Sequence, residues 1–227
     1  MALALTWPWR GVLLDIDGTI VDSNDAHAQA WARALAEGGY DIDINAIRPL
    51  IGMGGDKLLV ALTGVPPNGA PTLRLKEAHA EIFRTAWLPR LNPQPGSREL
   101  VQALRKRGIT IAVCTGSSAS EAAELLKIAS VHDLVELVIT SDDVLRSKPD
   151  PDIIHAGMDR LGLLPHETVV IGDTPYDIVA GRRAGVAAIA VTCGGCSAEQ
   201  LKGAIVIARD PESLVRELAQ DHATASS

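Results

Sequence analysis

A short apolar run that ends in two aspartates constrains this chain more than any other feature. Val12-Leu13-Leu14 has the length of a buried strand, and Asp15-Ile16-Asp17-Gly18-Thr19 follows directly. In extended backbone, residues two apart point to the same side, so both carboxylates leave the strand end on one face. Two like charges this close need a cation or a shared proton. The segment therefore predicts either a Mg²⁺ site or a nucleophile beside a general acid.

Polar residues also follow the later strand-like segments. In chain order they are Thr115 and Gly116 after residues 109–114, Lys148 and Pro149 after residues 137–140, and Asp173 and Asp177 after residues 168–171. Ligands of open α/β sheets bind at the carboxyl ends of the strands. The repetition therefore predicts that these side chains meet at one edge of a sheet.

Helical and strand patterns alternate through the second part of the chain. Predicted helices cover residues 97–107, 120–129, 152–161 and 178–184, and predicted strands cover residues 109–114, 137–140, 168–171 and 187–191. Strands that alternate with helices are typical of a parallel sheet. The fold class predicted here is α/β, with a parallel sheet flanked by helices.

The segment between the first strand and this alternation is different in pattern. It shows only helical spacing, with predicted helices from a cap at Asp22 or Ser23 to Ala36, over residues 56–62 and over residues 72–87. Three prolines in residues 89–95 end the last helix. We therefore predict a core of residues 1–21 and 93–227 with a small all-helical insertion at residues 22–92.

Composition excludes several classes of function. The net charge of −7 over 227 residues argues against a nucleic acid or an anionic membrane as partner. No apolar stretch reaches the length of a membrane span, and residues 1–10 lack the basic start of a signal peptide. Three cysteines do not form a disulfide framework. We expect a cytoplasmic protein that is a monomer or a weak homodimer.

The cysteines have simple interpretations. Cys114 lies inside a predicted strand and is expected in the core. The pair Cys193-Gly194-Gly195-Cys196 has the spacing of a redox or metal motif. Zinc would need further ligands that are not close in sequence. We favour a Gly-Gly turn flanked by small residues, and a redox role stays open.

In this order the motifs resemble the haloacid dehalogenase (HAD) superfamily of phosphohydrolases, specifically its phosphoglycolate phosphatase and β-phosphoglucomutase branch. The resemblance spans nearly the whole chain. It implies a Rossmann-like core, with residues 22–92 as a helical C1-type cap that closes over the site. It also implies a Mg²⁺-dependent phosphatase acting on a small phosphorylated metabolite, with phosphoglycolate and sugar phosphates as candidates.

The family assigns catalytic roles to the matching positions. Asp15 is the expected nucleophile, which forms an aspartyl-phosphate that water then hydrolyses. Asp17 protonates the leaving oxygen and later deprotonates the water. Thr115 and the amides around Gly116 hold phosphate oxygens, next to a helix N-terminus. Lys148 stabilises the nucleophile and the transferring phosphoryl group.

The family also implies a metal site. Mg²⁺ is expected on Asp15, Asp173 and the backbone carbonyl of Asp17, which are oxygen ligands suited to a hard cation. Asp177 is expected to orient these ligands rather than to bind the ion itself. As an alternative, Asp177 is a helix N-terminal acid favoured by the helix dipole.

Substrate-binding residues are expected on the cap. Gly54 and Lys57 belong to the loop of residues 52–57, whose glycines and single cation make it a candidate for specificity. His27 resembles a cap position of the mutase branch that grips a second phosphate. His27 and Trp31, four residues apart, equally fit one packed helix face.

Two departures bear on the alternative of a β-phosphoglucomutase-like enzyme. Gly55 stands where that branch carries arginine, and Gly172 precedes Asp173 where the branch has glutamate. Both favour a hydrolase, and Asp17 favours phosphate esters over the substrates of dehalogenases. A non-catalytic phosphate-binding module and a phosphoacceptor receiver domain are further alternatives. Both Asp15 and Lys148 are present, which argues against the first, and the inserted helices argue against the second.

Overall fold

A computed structural model of the protein describes residues 7–225. Over these residues the strands form one parallel sheet in the order β3-β2-β1-β4-β5-β6. The strands are β1 (Gly11–Leu14), β2 (Thr110–Cys114), β3 (Leu137–Ile139), β4 (Thr168–Gly172), β5 (Ala187–Val191) and β6 (Val206–Ala208). Residues 1–6 lie outside the described residues. They belong to residues 1–10, which the sequence predicts not to be a signal peptide.

Both faces of the sheet are buried, as expected for parallel strands. Val12 and Leu14 point into one apolar cluster, and Leu13 points into the other. The helices after the insertion are α5 (Ser97–Lys106), α6 (Ala119–Ile128), α7 (Asp152–Leu161), α8 (Pro175–Arg183) and α9 (Pro211–Ala225). Residues of α5, α6 and α9 complete the first cluster, and residues of α7 and α8 complete the second. The predicted α/β class is confirmed.

The segment between β1 and α5 is helical and has an apolar cluster of its own. It contains α1 (Asn24–Glu37), α2 (Ile44–Ile47), α3 (Gly55–Thr63) and α4 (Ala70–Ile82), followed by a π-helical turn at Phe83–Trp87. Trp31, Leu35 and Leu59 are at the centre of its cluster. A second stripe of α1, which includes Ala30, packs into the first sheet cluster. The division of the chain into a core and a cap stays a prediction.

Several boundaries differ from those predicted. Helix α8 begins at Pro175 rather than at residue 178, because proline is accommodated in the first turn, where its missing N–H has no partner to lose. The helix predicted over residues 72–87 is α-helical only as far as Ile82, and the π-helical turn follows. Helix α7 begins at Asp152 as predicted, with Pro151 as its N-cap.

Three elements were not predicted from the sequence. Helix α2 is one turn long, and β6 is a short edge strand with Ile207 partly exposed, so neither has a distinct periodic pattern. Helix α9 buries Leu214 and Leu218 beside α5. No helix in the described part of the chain is long and apolar enough to cross a membrane.

Candidate active site

The sheet register brings the predicted residues to one edge. Leu14 is paired with Val113 of β2 and with Ile171 of β4, so these three central strands end close together. Asp15, Thr115 and Asp173 each directly follow one of these strands. Lys148 reaches the same edge from the loop between β3 and α7. A hydrogen bond from the Asp15 amide to the carbonyl of Ile171, 2.9 Å long, fixes the residue that begins the site.

Lys148 lies between two buried carboxylates. Its Nζ donates to Asp15 Oδ1 at 2.6 Å and to Asp177 Oδ1 at 2.7 Å, and all three side chains are at most 6% exposed. Burial disfavours the ammonium, but the two carboxylates outweigh this effect and raise the pKa of Lys148, so the lysine remains charged. Burial raises the pKa of Asp15 to about 7, with Lys148 acting in the opposite direction. One ammonium thus faces two carboxylates and leaves negative charge in the site.

A third carboxylate completes a site able to hold a cation. One oxygen each of Asp15, Asp173 and Asp177 lie within 4.8 Å of one another. Asp173 accepts hydrogen bonds from Thr19 Oγ1 at 3.2 Å and from Asn24 Nδ2 at 2.7 Å. Burial, with the neighbouring carboxylates, raises the pKa of Asp173 well above its usual value. Buried carboxylate oxygens with unbalanced charge are a donor set that fits a hard divalent cation.

Asp177 is the least free of the three carboxylates. Its Oδ1 accepts from Lys148, and its Oδ2 accepts from the amide and the hydroxyl of Thr174 at 3.1 and 2.6 Å. It therefore both caps α8 and positions the lysine. The contacts with Thr174 agree with the helix-cap interpretation, and the orientation of metal ligands by Asp177 stays a prediction.

Asp17 is held by groups from both sides of the site. Its Oδ1 accepts from Ser23 Oγ at 2.6 Å and lies 2.9 Å from His27 Nε2, and its Oδ2 accepts from Ser117 Oγ at 3.0 Å. Burial opposes ionisation of Asp17, but the charge and the hydrogen bond of His27 outweigh it and lower the pKa of Asp17 to about 2. The pKa of His27 is raised, since Asp17 outweighs burial. The two groups form an ion pair.

His27 also belongs to a packed set of rings, as expected for a packed helix face, and its role in substrate binding stays a prediction. Its ring stacks on Phe83 at a centroid distance of 4.0 Å, and the ring of Trp31 stacks on His79 at 4.0 Å. His27 Nδ1 lies 3.3 Å from His79 Nε2. Burial, followed by the charge of His27, lowers the pKa of His79 well below its usual value. Neutral His79 is therefore the acceptor for protonated His27.

The loop after β2 forms a cradle at the N-terminus of α6. The amide of Ser117 donates to Thr115 Oγ1 at 3.1 Å, and Thr115 is completely buried. Gly116 and Ser117 line the pocket. Thr115 thus shapes the loop, and Gly116 and Ser117 are the residues of this loop that border the space for a ligand.

A pocket of about 370 Å³ lies between the sheet edge and the helical segment. Asp15, Asp17 and Lys148 line it from the sheet side, and His27 and Gly54 line it from the helical side. The volume falls in the usual range for small-molecule sites. A Cβ at Gly54 would overlap the side chain of Ser147, so the glycine allows the helical segment to approach the loop that carries Lys148.

Lys57 is the predicted site residue that the structure does not bring to the pocket. Its Nζ donates to the carbonyl of Ser147 and to Asp150 Oδ2, the latter at 2.7 Å. The neighbouring Asp56 accepts from Ser147 Oγ at 2.7 Å. Substrate binding by Lys57 stays a prediction, and the structure pairs its ammonium with a carboxylate, that of Asp150, which does not line the pocket. Asp56 and Lys57 join the helical segment to Ser147 and Asp150, which lie one residue before and two residues after Lys148.

Four residues of the site were not predicted. Ser117 and Glu121 line the pocket, with Ser117 Oγ 2.6 Å from Glu121 Oε1. His79 contacts His27, and Asn24 contacts Asp173. Ser117 and Asn24 lie beside recognised motifs, and this proximity is the only signal that could have found them. His79 and Glu121 sit inside helices and have no local pattern that marks them.

The cysteine pair lies near the site without entering the pocket. Cys193 Sγ is 3.4 Å from the carbonyl oxygen of Gly18, and a Cβ at Gly194 would overlap Asp173. Burial raises the pKa of Cys193 to about 12 and that of Cys196 to about 11. Both thiols are therefore protonated near neutral pH, which does not favour thiol exchange.

Comparison with known proteins gives a consistent result. The model of the family "Haloacid dehalogenase-like hydrolase" matches residues 12–191. The chain is similar to hexitol phosphatase A of Escherichia coli, with 32% identity over 80% of this chain and 82% of that protein. It is also similar to phosphoglycolate phosphatase of Nitrosospira multiformis, with 31% identity over 78% and 81%. A solved hydrolase from Pseudomonas syringae superposes with a TM-score of 0.86 at 28% identity, covering 92% and 98%.

Proposed function

Because the chain belongs to the haloacid dehalogenase-like hydrolases, we propose that it is a Mg²⁺-dependent phosphatase that acts through an aspartyl-phosphate on Asp15. The substrate is a small phosphorylated metabolite of the phosphoglycolate or sugar-phosphate type. The observation that carries the proposal is the pairing of buried Asp15 with Lys148 at 2.6 Å on the floor of the pocket, beside Asp173. The phosphatases among the similar proteins support hydrolysis of a phosphate monoester.

In the first step an Asp15 oxygen attacks phosphorus in line with the ester bond. A bond forms between that oxygen and phosphorus, and the ester P–O bond breaks with its electrons on the leaving oxygen. Lys148 offsets the charge of the carboxylate and of the phosphoryl oxygens. Gly116 and Ser117 bind the phosphoryl oxygens through the loop at the N-terminus of α6. Asp15, Asp173 and the backbone carbonyl of Asp17 would hold Mg²⁺, which supplies further charge neutralisation.

Asp17 handles the protons of both steps. With a pKa of about 2 it is ionised in this structure, so it needs a proton before it can act on the leaving oxygen. Protonated His27, whose Nε2 lies 2.9 Å from Asp17 Oδ1, is the acidic group in contact with Asp17 and supplies that proton. In the second step water attacks phosphorus, the bond between the Asp15 oxygen and phosphorus breaks, and inorganic phosphate is released, while ionised Asp17 accepts a proton from the water.

Residues 22–92 act as the cap in this proposal. The pocket lies between this segment and the sheet edge, so a ligand there is enclosed by both. Enclosure excludes bulk water during phosphoryl transfer and lets cap side chains select the leaving group. A β-phosphoglucomutase-like reaction is the alternative, and it would need the same nucleophile together with a second phosphate site.

The test is phosphate release from a panel of phosphorylated metabolites in the presence of Mg²⁺ and in the presence of EDTA. β-Glucose 1-phosphate is included, and its conversion to glucose 6-phosphate is followed in the same samples. We expect phosphate release that EDTA abolishes. Isomerisation without release would establish the mutase alternative, and phosphate release that is equal in EDTA would contradict the metal requirement.

A further inference from the structure

The part of the pocket beyond the reacting groups is acidic. Lys148 and His27 are already paired with Asp15, Asp177 and Asp17. Apart from His79, whose pKa is lowered by burial, the remaining ionisable side chains that line the pocket are the carboxyl groups of Asp56, Glu77, Glu121 and Asp142 and the ammonium of Lys76. Within the described residues, the lining contains no arginine. The leaving group of a bound ester therefore meets more negative than positive charge.

These carboxyl groups keep hydrogen-bonding capacity for a ligand. Asp142 accepts one hydrogen bond from the amide of Ala119, and Asp56 accepts one from Ser147. Glu121 is in contact with the hydroxyl of Ser117. A carboxylate offers about four acceptor positions, so each has positions left. We call these carboxyl groups of the pocket lining, Asp56, Glu77, Glu121 and Asp142, the acidic wall. They attract hydroxyl and ammonium donors and repel carboxylates and phosphates.

Apolar side chains complete the same wall. Met53 and Leu73 line the pocket with Trp31, whose ring is stacked on His79. A carbon skeleton that carries hydroxyl groups presents both C–H and O–H surfaces, and this lining offers partners for both. The leaving group of phosphoglycolate is a two-carbon acid with little C–H surface and a strongly solvated carboxylate. The acidic wall offers that carboxylate no contact that compensates the loss of its water.

We propose that the leaving group of the substrate carries hydroxyl or amino groups and no second anionic group. The substrate class is then a sugar, amino-sugar or polyol monophosphate rather than phosphoglycolate or a bisphosphate. This inference rests on the proposed phosphatase function and narrows its substrate. It also opposes the mutase alternative, because a β-phosphoglucomutase-like enzyme must hold a sugar bisphosphate as its intermediate.

The test compares phosphorylated six-carbon compounds whose leaving groups carry different charges. Phosphate release in Mg²⁺ is measured for glucose 6-phosphate, glucosamine 6-phosphate and 6-phosphogluconate, and for fructose 1-phosphate beside fructose 1,6-bisphosphate. We expect kcat/KM for the neutral and amino members to exceed that of the carboxylate or second-phosphate member by at least about tenfold. Equal or higher kcat/KM for the carboxylate or bisphosphate members would overturn the inference.

A variant shows whether the acidic wall causes this preference. Glu77→Gln combined with Glu121→Gln should reduce the ratio of glucose 6-phosphate to 6-phosphogluconate by several-fold, mainly through KM of the acid. The ratio on one variant cancels any loss of rate that both substrates share. Glu124→Gln is the matched control, since Glu124 lies on α6 but pairs with Lys127 outside the pocket. An unchanged ratio in the double variant would contradict the assignment to these residues.

p-Nitrophenyl phosphate, whose leaving group does not need this wall, separates the two levels of the proposal. Wild-type protein that hydrolyses it in Mg²⁺ but prefers 6-phosphogluconate to glucose 6-phosphate would refute the substrate class alone. Wild-type protein that releases no phosphate from any compound would refute the phosphatase function and the substrate class together.

Discussion

The two walls of the pocket are built differently. On the sheet side, Asp15, Lys148 and Asp177 follow strands or cap a helix, and each has a charged partner within 2.7 Å and almost no exposure. On the helical side, Lys76 and Glu77 lie exposed on α4. Buried charged side chains that are paired with each other keep the reacting groups in a fixed geometry. Exposed charged residues on a separate segment can be substituted without disturbing that geometry. The reacting groups therefore lie mainly on the sheet side, with His27 contributed by α1 of the helical side, and the residues proposed for selectivity lie on both sides, Glu77 on α4 and Glu121 on α6.

The largest effect expected on the sheet wall is that of Asp15→Asn. Asparagine keeps the shape of the side chain but is a poor nucleophile, so phosphate release should fall by at least about 10⁴-fold. Circular dichroism should show a folded protein. Substantial activity of this variant would contradict the assignment of the reaction to the sheet side, because phosphate release would then not depend on Asp15.

Lys148→Met should come next. It removes the cation between Asp15 and Asp177, so kcat should fall by about 10²- to 10³-fold. The two carboxylates would remain buried without their partner, which is expected to lower the free energy of unfolding by about 3 kcal/mol. Both values are measured on the same preparation, by phosphate release and by urea unfolding. Loss of activity with an unchanged free energy of unfolding would show that Lys148 does not stabilise this side of the pocket.

Substitutions that remove contacts between the two walls are expected to reduce kcat moderately. Lys57→Met breaks the contacts with Ser147 and Asp150 next to Lys148, and we expect kcat to fall by about three- to tenfold. Asp150→Asn should have a similar effect, and the double variant should lose little more, as for residues that act through one contact.

The same cycle distinguishes a positioning role from substrate binding. If Lys57 bound substrate, Lys57→Met would raise KM while Asp150→Asn would leave KM unchanged. Arg183→Met is the control, since Arg183 contacts Asp150 and Pro149 from within the sheet side. It should change kcat less than Lys57→Met does.

The smallest effect concerns the cysteine pair. Because the pKa of each thiol is raised, the thiolate fraction at about pH 8 is small, and alkylation by iodoacetamide should be slower than for glutathione. A variant with serine at positions 193 and 196 should keep kcat within about twofold. Rapid alkylation with loss of activity would instead favour a redox role for Cys193 and Cys196.

Sequence reasoning was most successful where the backbone fixes position. A residue that directly follows a parallel strand has its place set by the register, so Asp15, Thr115 and Asp173 could be grouped from their spacing alone. Lys57 is a different case, since a flexible side chain takes its direction from whichever anion packs nearby. That anion, Asp150, lies 93 residues further along the chain.

The same limit applies to His79. Its contact with His27 depends on how α1 and α4 pack, and neither helix has a pattern that marks these two positions beyond the buried face. The edge strand β6 and the one-turn helix α2 are too short for a period to be read. What could not be predicted is therefore the set of contacts between elements that are distant in sequence.

The central claim is that Asp15 carries the phosphoryl group during turnover. The most direct test incubates Asp17→Asn with p-nitrophenyl phosphate and Mg²⁺, quenches with acid and locates the modification by peptide mass spectrometry. Asparagine cannot activate water, and nitrophenolate leaves without an acid, so a phosphoryl group should accumulate on Asp15. Release of nitrophenolate with an unmodified Asp15 peptide, or with the phosphoryl group on another residue, would contradict the account.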